Sequence, residues 1–227
     1  MSLRGIVFDF DGVIANSEPL HYLGFRDVAA EHGATLTEAD YYQRYLGFDD
    51  WGAFAAISGD QRLGWTDEEI SRMVDRKAVR LEQLESERSV LFPGAADAIR
   101  RLSAEGPLAI ASGALRAEIM RILAREQLTQ HFVTVVGAED TPASKPAPDP
   151  YRLAVHRLAT MRTGWSAPAS YVAIEDSHWG LESARAAGLK TVAVTHTYPA
   201  DALTADLVVS NLDALSWSAL AGLVQAV

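Results

Sequence analysis

The sequence predicts an α/β fold: a doubly wound parallel sheet whose first strand is followed by a small helical insertion. Three observations carry this. Short, almost wholly apolar runs recur along the 227 residues, too short for helices and suited to strands buried on both faces. Amphipathic stretches at helical spacing separate most of them, which is the βαβ pattern. Residues 16–91 break the alternation, being polar, helical in pattern and poor in strands, and they are too long for a loop between neighbouring strands.

Taken in order, residues 5–10 (Gly-Ile-Val-Phe-Asp-Phe) form the first strand, ended by the turn signal Asp11-Gly12. The insertion follows, with hinges expected near 15–17 and 89–93, four or five helices, and its longest helix opened by the capping box Thr66-Asp67-Glu68-Glu69. Ile70, Met73, Val74, Lys77, Leu81 and Leu84 then recur at helical spacing. Further strands are expected at 108–112, 132–137, 171–175 and 191–195, with a weaker one at 207–209. Helices are expected at 95–104, 115–126, 150–159 and 181–187. Asn211 reads as the N-cap of a last helix running to about 224. The Pro-rich segment 144–150 is short and carries Lys145, so it reads as a shaped loop. The expected domains are therefore 1–15 with 92–227 as an α/β core, and 16–91 as a helical domain.

Composition excludes several classes. Thirty acids against twenty bases give a net charge of −10, which disfavours nucleic-acid and membrane-surface binding, since both need clustered base. No apolar run reaches the roughly 18 residues of a membrane span. The first residues run straight into a strand and do not read as a signal peptide. A cytoplasmic protein is expected. With no cysteine there is no disulfide, thiolate metal site or cysteine nucleophile. Residues 16–91 hold fifteen acids and eight bases, so that span carries −7 of the −10. Only three bases are lysines: Lys77, Lys145 and Lys190.

In an open parallel sheet, ligands bind beyond the carboxyl ends of the strands. Four such ends carry reactive groups: Asp9 and Asp11, then Ser112-Gly113, then the loop with Lys145, then Glu175-Asp176-Ser177. Two like charges about 4 Å apart repel by about 4 kcal/mol at an effective dielectric of 20, so four converging carboxylates call for a cation. Mg²⁺ suits them, being hard and oxygen-seeking, and usually held by one or two carboxylates with substrate phosphate. Carboxylates, an amine and a hydroxyl together suit phosphoryl transfer, with one carboxylate as nucleophile and a second as general acid and base. A lone Asp-x-Asp after a strand is more often a turn or cap; it is the set of four that points to catalysis.

Asp9-Phe10-Asp11-Gly12-Val13, Ser112, Lys145-Pro146 and Glu175-Asp176-Ser177 resemble, in order and spacing, the four motifs of the haloacid dehalogenase-like (HAD) hydrolases. The insertion and the return through Phe92-Pro93-Gly94 resemble the helical-cap subgroup of beta-phosphoglucomutase and phosphoglycolate phosphatase. The resemblance implies a Rossmann-like core with a cap over residues 16–91. It implies Asp9 as the nucleophile and Asp11 as the general acid and base. It further implies Ser112, Gly113 and Lys145 on the phosphoryl group, and a Mg²⁺ site from Asp9, the Asp11 carbonyl and Asp176, with Glu175 as ligand or support. Asp11 argues for an oxygen leaving group, because relatives that cleave carbon–halogen bonds lack an acid there. Ser112 reads also as a helix N-cap, and Ser177 as a structural cap.

In the cap, His21, Lys77 and Gly47 match positions that face substrate in the mutase. Where the mutase carries an Arg, this chain has Asp50, which would repel a second phosphate. Lys190 and the remaining histidines (His32, His131, His156, His178 and His196) read as structural. The expectation is a Mg²⁺-dependent phosphatase acting on a small phosphorylated metabolite, a sugar phosphate, through an aspartyl-phosphate. The protein is expected to be monomeric and to have no nucleic-acid or membrane partner. A sugar phosphomutase is the alternative, and a catalytically silent binding protein on the same fold a remote one.

Overall fold

In a computed structural model, residues 2–46, 48–87, 89–163 and 167–225 are described, without the side chains of Arg162 and Thr163. The elements are β1 (Gly5–Phe8), α1 (Glu18–Glu31), the single turn α2 (Glu38–Asp40), α3 (Asp50–Gln61), α4 (Asp67–Glu87), α5 (Ala95–Glu105), β2 (Leu108–Ala111), α6 (Arg116–Arg125), β3 (Phe132–Val136), α7 (Asp149–Leu158), β4 (Tyr171–Glu175), α8 (His178–Ala186), β5 (Lys190–Val194), β6 (Leu207–Val209) and α9 (Trp217–Gln225). The chain divides into two compact units, Met1–Asn16 with Leu91–Val227, and Ser17–Val90.

The first unit is a six-stranded parallel sheet in the order β3-β2-β1-β4-β5-β6. The doubly wound sheet expected from the sequence is thus present. Its central strands β1, β2 and β4 are buried on both faces, as their unbroken apolar runs require. Val7, Ala109, Ala111, Tyr171 and Ala173 pack on one face against Tyr151, Ala154 and Leu158 of α7 and Ala184 of α8. Ile6, Phe8, Leu108, Ile110, Val172 and Ile174, alternating with them and equally buried, point to the other face. The strand order reverses between β1 and β4. Brought together at that switch are the residues just past β1 and the end of β4.

The second unit packs α1 and α3 against α4. Phe25, Val28, Tyr41, Phe54, Ile57, Ile70 and Met73 form its core. The capping box forms, with Glu69 N–H donating to Thr66 Oγ1 at 3.3 Å and Thr66 N–H to Glu69 Oε2 at 2.8 Å. A π-helical stretch, Tyr41–Tyr45, continues α2. Among the described residues no helix is long and apolar enough to cross a membrane.

Three local expectations are corrected. Asn211 caps only the 3₁₀ turn Leu212–Ala214, because Leu215 is extended and stops propagation; the last helix starts afresh at Trp217, where Ser216 Oγ accepts from Ala219 N–H. Helix α8 starts at His178 rather than 181, because Ser177 caps it there, its Oγ accepting from Gly180 N–H at 3.1 Å. Ser112 is not a helix N-cap: Leu115 holds that position on α6, and Ser112 Oγ instead closes a local turn by accepting from Ala114 N–H. Lys190 is half-buried and pairs with Asp206 at 3.2 Å.

Candidate active site

At the carboxyl edge of the sheet, Asp9, Glu175 and Asp176 offer oxygens that all lie within 4.8 Å of one another. All three residues are buried. Asp9 follows β1 directly, and its Oδ1 accepts from Phe10 N–H at 2.7 Å and from Lys145 Nζ at 2.8 Å. Its Oδ2 has no such partner among the described residues. Asp11 lies half-buried at the turn, where it bridges to Ala15. Gly12 follows with φ +77°, and a Cβ there would sit 2.0 Å from Asp176 Oδ2, so both backbone and space demand glycine. The Gly12 carbonyl accepts from or faces His196 Nδ1 at 2.9 Å, and the His196 ring stacks on Phe92.

Glu175 ends β4 with no exposure and five donors around it. Oε1 accepts from Lys145 Nζ at 2.6 Å and Tyr151 OH at 2.7 Å. Oε2 accepts from Asp176 N–H, Ser177 N–H and Ser177 Oγ. Gly180, in the first turn of α8, leaves the space this carboxylate fills: a Cβ would lie 1.9 Å from it. Asp176 Oδ2 accepts a short bond from Thr197 Oγ1.

The electrostatics follow from burial. Desolvation pushes the Asp9 carboxyl well above the usual carboxylate range; Glu175 adds to this, and Lys145 opposes it. Burial likewise raises Asp176, to about 6, against the Thr197 bond. For Lys145, burial disfavours the charge, but Asp9 and Glu175 outweigh it and hold the ammonium above the ordinary lysine range. One largely buried ammonium, its side chain 11% exposed, thus faces three buried carboxylates. This set of hard oxygens with an unbalanced negative charge fits a divalent cation such as Mg²⁺. Because five donors already occupy the Glu175 oxygens, Asp9 and Asp176 are the better placed ligands.

Ser112, Gly113 and Lys145 line one cleft of about 120 Å³ with Ala138, Thr141, Ser144 and Pro150. A larger cleft of about 440 Å³ opens at the amino ends of β2 and β3, with Glu105 the one carboxylate among its described lining residues. It lies at the far end of the strands from the carboxylate cluster.

Two further candidates meet within the helical unit. Lys77 Nζ on α4 lies 3.0 Å from His21 Nδ1 on α1, 2.7 Å from Asp50 Oδ1 on α3 and 4.5 Å from the centre of the Phe25 ring. Asp50, expected from the sequence to repel a second phosphate, is paired with the buried Lys77. Gly47 lies outside the described residues. Tyr151, Thr197 and the Asp50–Lys77 pair were not singled out by the sequence as interacting groups. Only Tyr151, six residues after Lys145 on the helix its loop feeds, carried a usable signal.

The family is settled by comparison. Residues 6–194 match the model of the haloacid dehalogenase-like hydrolases, and the chain belongs to that family. It is 31% identical to protein CbbY of Rhodobacter capsulatus, over 97% of this chain and 98% of that protein. It is 28% identical to the fructose-1-phosphate phosphatase YqaB of Escherichia coli, over 84% of this chain and 95% of that one. The crystal structure of a CbbY variant from Rhodobacter sphaeroides in complex with xylulose-(1,5)bisphosphate superposes with a TM-score of 0.75 at 25% identity, covering 94% of this chain and 96% of that one.

Proposed function

We propose that this chain is a Mg²⁺-dependent phosphatase of a small phosphorylated metabolite, a sugar phosphate, working through an aspartyl-phosphate on Asp9. The observation that carries the reading is the state of Asp9: buried beside Asp176, with Oδ1 held by the Phe10 N–H and Lys145 and Oδ2 left for attack. A carboxylate fixed at one oxygen is an oriented nucleophile. Lys145 compensates its charge and, with Ser112, holds phosphoryl oxygens. Asp11 protonates the departing oxygen, then takes a proton from the water that hydrolyses the acyl-phosphate. Mg²⁺ held by Asp9, Asp176 and the Asp11 carbonyl would neutralise charge on the carboxylates and the phosphoryl group. Glu175 anchors Lys145 rather than binding the ion. Residues 16–91 serve as the substrate-selecting cap, with His21, Lys77 and Gly47 as its contact residues.

The sugar-phosphate substrate is supported by the name of the Escherichia coli relative. A bisphosphate is the second reading, favoured by the ligand of the CbbY structure. Against it stands the acidic helical unit, which carries −7 of the net charge. A panel of sugar monophosphates and bisphosphates, assayed with and without Mg²⁺, decides. Release of phosphate by the wild type, lost in Asp9→Asn, is expected; full activity in that variant ends the nucleophile assignment. Interconversion of hexose phosphates without free phosphate would instead establish a mutase.

A further inference from the structure

Tyr151 stands where the charges of the site divide. It is fully buried on α7, its hydroxyl donates to Glu175 Oε1 at 2.7 Å, and its ring centre lies 5.2 Å from Lys145 Nζ. The same ammonium lies 2.6 Å from Glu175 Oε1 and 2.8 Å from Asp9 Oδ1. One cation is therefore shared by two buried carboxylates, and the share Glu175 takes is lost to Asp9.

We propose that Tyr151 is a positioning residue that keeps Lys145 on Asp9, by supplying Glu175 Oε1 with a second donor and the ammonium with a ring face. The inference rests on the reading of Asp9 as the nucleophile. Glu175 Oε2 is satisfied by three donors of its own, so the balance is set at Oε1, where, among the described residues, only Tyr151 and Lys145 donate. A buried carboxylate oxygen deprived of one donor leans harder on the other. Without the hydroxyl, Lys145 is drawn towards Glu175 and away from the reacting carboxylate. The hydroxyl is dependable as a donor, because burial, with Glu175 beside it, holds it protonated far above the usual tyrosine range. The ring packs with Val7, Ala154, Leu158 and Tyr171, so Tyr151→Phe removes the donor and leaves the packing.

The test is a cycle of Tyr151→Phe, Glu175→Gln and the double variant, assayed on the monophosphate that the wild type turns over fastest, with Mg²⁺ present and melting temperatures measured alongside. Tyr151→Phe is expected to lower kcat about 10-fold with KM within about 2-fold. Added to Glu175→Gln, the same change is expected to cost less than about 2-fold, because the group it acts through is already altered. An unchanged kcat in Tyr151→Phe, with Asp9→Asn inactive, overturns the positioning role and leaves the phosphatase reading standing. Equal losses in both backgrounds overturn action through Glu175. A lowered melting temperature with unchanged kcat would reduce Tyr151 to a structural hydroxyl. A wild type inert on every phosphate ester overturns the phosphatase reading and this inference with it.

Discussion

Lys77 Nζ lies 2.7 Å from Asp50 Oδ1, and it is the lysine that is buried, with 1% of its side chain exposed against 35% for the acid. Removing the acid leaves a buried ammonium with only the His21 ring nitrogen and the Phe25 face beside it among the described residues; removing the lysine leaves an acid that water can reach. Asp50→Ala is expected to destabilise the protein by about 2–4 kcal/mol, and Lys77→Met by less. The double variant should recover most of the Asp50→Ala loss. Urea unfolding of the three variants checks the order.

Gly12 is fixed twice, by its φ of +77° and by the Asp176 carboxylate where a Cβ would stand. Gly12→Ala should cost about 1–3 kcal/mol through backbone strain. It should also displace Asp176 and weaken Mg²⁺ binding. Thermal melting and a Mg²⁺ titration read the two effects separately.

Asp176 has its folded pKa raised to about 6, chiefly by burial, from an ordinary value of 3.8. A raised carboxyl contributes stability that is complete below the unfolded value and is lost as pH rises through about 6. The metal-free protein should therefore lose this contribution between about pH 4 and pH 7. Mg²⁺ should raise Tm more at pH 7.5 than at pH 5. Asp176→Asn should flatten the metal-free profile and abolish the Mg²⁺ response, as scanning calorimetry would show.

Asp140 behaves in the opposite sense. Burial works against its charge, but the Gly137 N–H and the guanidinium groups of Arg116 and Arg157 prevail and hold it below the usual range. Its contribution is present above the unfolded value of about 4 and lost as pH falls through the folded one. Asp140→Asn should cost about 1–3 kcal/mol at pH 7 and progressively less on acidification. Melting curves at pH 7 and pH 4 test this.

The sheet was legible because its strands are apolar on both faces, and the acids that end β1 and β4 interrupt those runs at the places where the chain leaves the sheet. Membership of the family was legible from the order of Asp9, Ser112, Lys145 and Glu175 along the chain. The strand order was not, since nothing local to β1 says that β2 and β4 will flank it. Thr197 reaches Asp176 from the segment after β5, and Asp50 reaches Lys77 from another helix; such partners are set by tertiary packing, not by spacing. Asn211 misled because a good cap specifies a helical start, not how far the helix runs.

The position of β1 also bears on how the chain acquires its shape during synthesis. Ile6 pairs with Leu108 on one side and Val172 on the other. The strand precedes both partners in the chain and can therefore have neither neighbour until much later sequence has emerged. Pairing so distant is slow, and an apolar strand waiting for it is exposed to wrong partners. Ser17–Val90, whose core residues all come from within it, has what it needs to collapse first. The helical unit would then be assembled while the segment bearing Asp9 still waits, which makes late-emerging β4 the step that gives β1 its second neighbour and completes the cluster of acids.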